Sequence, residues 1–290
     1  MKKRYKRMLN NKKANHRGAI KASMKLLKKF QDTLNIGLSE FGRQEVYVQT
    51  GCLCLIYGLE GPSEVVVDVR SLRFENLKGQ TSNFPNNLSV PDAFFYKKNI
   101  LHGIFEAKNF DKDPNNNVFT GEGALDVIKE LKNESDIKNI IKEILSEASK
   151  FDTKLDKGKR VKLRSKWDVE LATSKDIDGA FPIKIIDSLG TPVATLHQLD
   201  IYLLALYAYD NIKYVIWTNG LCWKIWTKDA SGNINLDLNI NLDNDQLGYV
   251  NYDKNGVPVD AKGKPLQAIQ IDPDQFVELL TKLRRLFLTL

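Results

Sequence analysis

Two apolar segments separated by three polar residues constrain this chain more than any other feature: DAFFY at 92–96 and ILHGIFEAK at 100–108, joined by KKN. Runs this short, rich in Phe, Ile and Tyr and bounded by turn residues, are predicted strands, and a three-residue connection makes them an antiparallel hairpin. Asp92, at the start of the first strand, then lies beside the end of the second, where Glu106 and Lys108 stand. Side chains alternate along a strand, so Glu106 and Lys108 share one face while Ala107 points to the other. The hairpin thus gathers two carboxylates and an ammonium at one end of an otherwise apolar sheet.

Other segments fill in an α/β protein. EVVVDVR at 64–70 is a further extended run. Ile20, Met24, Leu27, Phe30, Leu34 and Leu38 recur at helical spacing, predicting an amphipathic helix broken near Gly37. EVYVQTGCLCLIYGL at 45–59 reads as a helix with Glu45 in its first turn, although its Val and Cys content also permits a strand. Beyond the hairpin come a polar loop, DKDPNNN, a helix at 136–149 capped by Ser135, a helix at 194–209, and strands YVIWTNG and LCWKIW. The chain ends in an amphipathic helix, FVELLTKLRRLFL, preceded by DKNG and DAKGK stretches that read as hairpin turns rather than calcium loops. No internal repeat is visible. The expected organisation is a basic helical extension (1–44), a core (45–228) carrying a helical, basic insertion at about 110–193, and a C-terminal β-hairpin and helix (229–290).

Charge is unevenly spread. Residues 1–31 hold twelve Lys and Arg and no acid, so the remainder of a chain of net charge +7 carries −5. A second run, KFDTKLDKGKRVKLRSK at 150–166, sets eight Lys and Arg against two Asp. Both are candidates for contact with a phosphate backbone, where counterion release favours a polycation; the first is equally readable as a solvated tail, while a run such as the second is more often simply solvated charge. The N-terminus lacks the apolar run of a secretory signal, and IYLLALYAY, among the longest apolar stretches, falls far short of a membrane span. Three cysteines in no ligand spacing fit a reducing cytoplasm.

The chemistry suggested by the hairpin is that of a hard cation. Mg²⁺ prefers oxygen ligands and is commonly held by one or two carboxylates with water and phosphate oxygens. Asp92 and Glu106 supply the carboxylates, and the Ala107 carbonyl a further oxygen. Lys108 would orient or help to deprotonate the attacking water and offset negative charge on the phosphate. His16, His102 and His197 are too scattered for a zinc site, and Asp68 in VVVDV competes with Asp92 less well because it stands farther from Glu106-Ala107-Lys108.

Pro91-Asp92, thirteen residues, then Glu106-Ala107-Lys108 resembles the PD-(D/E)xK nucleases. The flank QEVYVQTGCLCLIYGLEGPSEV is similar to the start of the nuclease domain in type I restriction R subunits and related fused enzymes, with Glu45 at the position of that group's helix-leading glutamate. Gln198-Leu-Asp-Ile-Tyr202 resembles its QxxxY motif, which sets both side chains on one helix face. The resemblance covers about residues 45–226 and implies a restriction-endonuclease-like core, αβββαβ, with a central mixed sheet flanked by helices. It further implies a Mg²⁺-dependent (Mn²⁺ as substitute) endonuclease acting on double-stranded DNA, with Asp92, Glu106, Lys108, Gln198 and Tyr202 catalytic and Asp92, Glu106, Ala107 and Glu45 at the metal. No phosphate-loop or methyltransferase motif occurs in the chain. The alternatives are therefore a nuclease subunit needing a separate motor or methyltransferase partner, and a non-catalytic DNA-binding protein of the same fold. Cutting both strands would suggest a homodimer.

Overall fold

The computed structural model describes residues 23–38, 44–60, 66–69, 91–97, 100–243, 247–260 and 262–288. The basic residues 1–22 and the KKN turn residues Lys98 and Asn99 lie outside them. The described elements, in chain order, are α1 (residues 23–38), α2 (Gln44–Glu60), β1 (Val66–Val69), β2 (Ala93–Lys97), β3 (Ile100–Ala107), α3 (Glu122–Glu130), α4 (Ile137–Ala148), β4 (Arg160–Lys162), β5 (Asp168–Leu171), β6 (Ile183–Ile186) and β7 (Pro192–Leu196). They continue with α5 (Gln198–Ala208), β8 (Tyr214–Thr218), β9 (Cys222–Lys228), β10 (Ile234–Asn241), β11 (Asn251–Tyr252), β12 (Pro258–Val259) and α6 (Pro273–Leu288).

A mixed sheet of six strands, ordered β1-β2-β3-β8-β9-β10, forms the centre; β3 and β8 are parallel and the other neighbours antiparallel. Strand alternation gives this sheet two apolar faces, and each has its own core. Phe94, Ile104, Val215, Trp217 and Trp226 pack beneath α3, α4 and α5. Ala93, Phe95, Phe105, Ala107, Ile216 and Trp223 pack against α1, α2 and α6. Strands covered on both faces need apolar residues at nearly every position, which is why YVIWT is buried throughout. None of the described helices is long and apolar enough to cross a membrane.

The segment 45–59 is helical, as expected, its Val and Cys content notwithstanding. α1 is helical over 23–38, the residues just past Leu38 lying outside those described, and at Gly37 the missing side chain lets the Tyr47 Cβ approach to 2.6 Å from where a Cβ would stand. Several other expectations change. Asp136 rather than Ser135 stands at the N-cap of α4, with its carboxylate accepting from Asn139 Nδ2 at 2.6 Å. The predicted helix at 194–209 begins only at Gln198, because Pro192, Val193 and Thr195 belong to β7, whose pairing with β6 outweighs the helical pattern of the residues after it. The insertion is not simply helical: beside α3 and α4 it holds a four-stranded antiparallel sheet, β4-β5-β6-β7. In the C-terminal extension, β10 forms an edge of the central sheet and α6 packs on α2.

A recurrent turn holds many of these strands. Asp176-Ile-Asp-Gly-Ala180, Asp187-Ser-Leu-Gly-Thr191, Asp229-Ala-Ser-Gly-Asn233, Asp253-Lys-Asn-Gly-Val257 and Asp260-Ala-Lys-Gly-Lys264 share one geometry. In each, the leading carboxylate accepts from the N–H groups two and four residues on, and the glycine adopts positive φ and donates to the leading carbonyl. The DKNG and DAKGK stretches are two of these turns, their Asp oxygens turned to their own backbone.

Gly103 of β3 lies opposite Tyr214, and a Cβ there would stand 2.1 Å from the tyrosine ring, which packs against Phe95 and Phe287. Gly103→Ala is expected to destabilise the protein by about 1–3 kcal/mol, read from urea unfolding; an unchanged midpoint would show that the ring moves freely.

Candidate active site

The register of β2 and β3 pairs Ala93 with Phe105, which carries Asp92 to the level of Glu106. Asp92 is buried, and its Oδ2 accepts the Ala107 N–H at 2.8 Å, so the first carboxylate is clamped across the hairpin. Gln49 of α2 donates to the Asp92 carbonyl at 3.4 Å. Ala107 turns its methyl into the opposite core, as alternation requires, leaving Glu106 and Lys108 on the face beneath α5.

From α5 come the next two groups. Gln198 and Tyr202, one helical turn apart, are joined by a 2.8 Å bond from Gln198 Nε2 to the Tyr202 hydroxyl. That hydroxyl donates to Glu106 Oε2 at 3.1 Å, while Gln198 Oε1 accepts from Lys108 Nζ at 2.7 Å. Lys108 Nζ also bridges to Glu106 Oε1 at 2.7 Å. Asp92, Glu106, Lys108, Gln198 and Tyr202 are therefore linked, directly or through the strand backbone, at the end of β3. Burial, opposed by Lys108 and reinforced by Asp92, pushes the Glu106 carboxyl up to about 8. Burial also works against the Lys108 ammonium, but the Glu106 and Asp178 carboxylates outweigh it and hold its pKa above the ordinary lysine value. Lys108 is thus a fixed positive charge rather than a proton acceptor. Burial and the neighbouring carboxylates keep the Tyr202 hydroxyl protonated.

Asp178 is the residue that sequence reasoning missed. It belongs to the insertion, and its Oδ2 lies 2.6 Å from Lys108 Nζ, with the carboxylate only 7% exposed. The same turn is fastened by Asp176, whose Oδ2 lies 2.9 Å from His197 Nδ1, and by Lys112 Nζ donating to the Ile177 carbonyl at 3.0 Å. Eighty-nine residues of intervening sequence tie Lys108 to α5, and nothing in their spacing marks Asp178; only its place in the repeated turn, at a position the turn leaves free, would have singled it out.

Glu45 sits in the first turn of α2, its backbone N–H donating to Asn109 Oδ1 at 2.7 Å, so the helix start is brought beside the chain that leaves Lys108. Among the described residues no three His, Cys, Asp or Glu side chains form a metal-holding group, so the Glu45 carboxylate does not complete a triad with Asp92 and Glu106. Asp68 opposes Phe94 on the outer strand, two pairs of residues from Asp92. In the TNG turn, Asn219 accepts from Leu221 and Cys222 N–H and donates to the Lys112 and Gly248 carbonyls, fixing the loop after Lys108. The 150–166 run is partly neutralised, with Lys150 paired to Glu147, Lys159 to Asp156, Arg160 to Glu170 and Lys166 to Glu134.

Because one hydroxyl serves both Gln198 and Glu106, Tyr202→Phe should cost about 1–3 kcal/mol of stability, leaving buried polar groups without it. Thermal and urea unfolding beside wild type measure this, and an unchanged stability would mean that the hydroxyl is dispensable to the cluster. No family model, no curated protein and no solved structure matches this chain, so its chemistry is read from its own side chains.

Proposed function

We propose that the protein is a Mg²⁺-dependent endonuclease hydrolysing phosphodiester bonds in double-stranded DNA in the cytoplasm, with a restriction-endonuclease-like core made of α2, β1–β3, α5 and β8. The observation that carries this reading is the hairpin register that sets Asp92 against Glu106 and Lys108 under Gln198 and Tyr202. It supports the nuclease reading because phosphate chemistry needs hard oxygen ligands and a fixed cation side by side.

The donor set fits a divalent ion. Asp92 and Glu106 are two buried carboxylates close enough to oppose each other's ionisation, and Mg²⁺ commonly takes one or two carboxylates. Asp92 and Glu106 would hold it, with the Ala107 carbonyl at the same strand end as a further candidate; Mn²⁺ would substitute. Such an ion supplies polarisation of a phosphoryl oxygen and acidification of a neighbouring water. The chain's own groups do the rest. The Ala107 N–H orients Asp92, Tyr202 orients Glu106, and Gln198 holds the Lys108 ammonium, whose charge offsets that developing on the phosphate. The engagement of Lys108 by Asp178 favours a second reading, in which cutting awaits a separate motor or methyltransferase subunit.

Purified protein incubated with supercoiled, linear duplex and single-stranded DNA should cut duplex only with Mg²⁺ or Mn²⁺. Asp92→Ala and Lys108→Ala should each cut at least ~100-fold more slowly. Absence of cutting by wild type with either ion would remove the stand-alone reading. A raised Glu106 pKa has a definite sign: below about 8 the carboxyl keeps its proton, which a cation must displace. Mn²⁺ affinity by calorimetry should therefore rise with pH, by roughly tenfold per unit, and level off above that value. A flat profile in wild type would exclude Glu106 as a ligand.

A further inference from the structure

Lys108 has no N–H left to give. Its ammonium carries three protons, and three oxygens surround it: Glu106 Oε1 at 2.7 Å, Gln198 Oε1 at 2.7 Å and Asp178 Oδ2 at 2.6 Å. A phosphate or a water can reach it only if one of these leaves. Glu106 is fixed in a central strand and bonded to Tyr202, and Gln198 begins a buried helix. Asp178 stands on a turn whose neighbours face solvent, with Ile177 56% exposed and no heavy atom within 4 Å of a Cβ built on Gly179. It is the one partner whose departure disturbs neither core.

The four sister turns show that the turn itself does not call for this carboxylate. At the position of Asp178 they carry Leu189, Ser231, Asn255 and Lys262, all exposed, with the same backbone hydrogen bonds. Here alone among the described turns is the side chain at that position buried, and it lies between two cations, Lys108 and Lys112, the latter 4.0 Å from Asp178 Oδ1. Two lysines converging on an anion are an anion site, and in this structure the chain's own carboxylate fills it.

We infer that Asp178 is a built-in competitor for the anion that Lys108 receives, so that the turn 176–180 must yield its place before a phosphodiester group engages the site. This rests on the nuclease reading for the identity of the anion, but not for the competition itself. The turn's base stays tethered by Asp176 to His197, beside Gln198, so the exchange needs a swing of the tip, which releases the Lys112 bond to the Ile177 carbonyl, and no unravelling of the insertion's sheet. One anion replaces another at the same ammonium, and the buried positive charge is never left bare.

Asp178→Asn and Asp178→Ser test this, since each places in the turn a residue that a sister turn already carries. Inorganic pyrophosphate measured by calorimetry probes the lysine site without reference to DNA, and a short fluorescent duplex in EDTA, monitored by anisotropy, probes it with DNA. Each probe is run on wild type, the two variants, Lys108→Ala and the double variants. Both Asp178 variants should bind each probe about 5–30-fold more tightly, and the gain should vanish in the Lys108→Ala background. They should also cut faster than wild type at limiting DNA. An unchanged or weaker affinity overturns the inference. So does a gain that survives Lys108→Ala, which would reflect only the loss of a negative charge, or a tenfold fall in kcat, which would make Asp178 part of the reaction. If pyrophosphate shows the gain and no protein cuts DNA, the competition stands and the nuclease reading fails; if wild type cuts and no gain is seen, the reverse holds.

Discussion

The parallel pairing of β3 with β8 is the constraint that shapes everything else in the molecule. Parallel neighbours cannot be joined by a tight turn: the chain must leave β3 at its far end and cross back over the sheet before entering β8. Everything from Lys108 to Lys213 lies in that crossover, and its last element, α5, crosses the face on which Glu106 and Lys108 stand. Gln198 and Tyr202 reach the strand end because the return path has nowhere else to go. The ends of β3 and β8 also meet there, through the Lys108 N–H and the Thr218 carbonyl at 2.8 Å, at the side where open α/β sheets bind their ligands.

Gathering charge in such a place is costly, and the structure meets the cost bond by bond. Asp92 takes a backbone N–H, Glu106 takes a phenol and an ammonium, and Lys108 takes two carboxylates and an amide. An isolated buried ion would titrate away its charge. Here mutual satisfaction keeps Lys108 charged while leaving Glu106 poised to change its state. The same economy governs Lys224 on β9, two strands away in the sheet, whose buried ammonium donates to the Pro114 and Phe119 carbonyls and lies over Trp217. That lysine stitches the first loop of the insertion to the sheet, a structural use of the charge type that Lys108 offers for chemistry.

Much of the core was legible because it depends on local pattern. The alternation in DAFFY and GIFEAK placed Asp92, Glu106 and Lys108 on one side of one hairpin end, and the i, i+4 spacing of Gln198 and Tyr202 placed those two on one helix face. What failed to show was whatever depends on partners distant in sequence. The strands β4–β7 are three to five residues long, too brief for periodicity to assert itself against the helical look of their surroundings. Pro192 and Val193 became a strand edge only because β6 lay beside them. Asp178 was invisible for a related reason, since its meaning comes from Lys108, seventy residues earlier in the chain.

The five matching turns have a consequence of another kind. Each is written by its first residue and its fourth: an aspartate that caps its own backbone and a glycine that takes positive φ. The third residue lends the bend only its backbone N–H, so its side chain is free to vary, as Leu, Ser, Asn and Lys at the four solvent-facing copies attest. A protein built with such bends carries a reserve of ready-made pedestals, where one codon change presents a new functional group without touching either core. At residue 178 the pedestal happens to stand over a lysine.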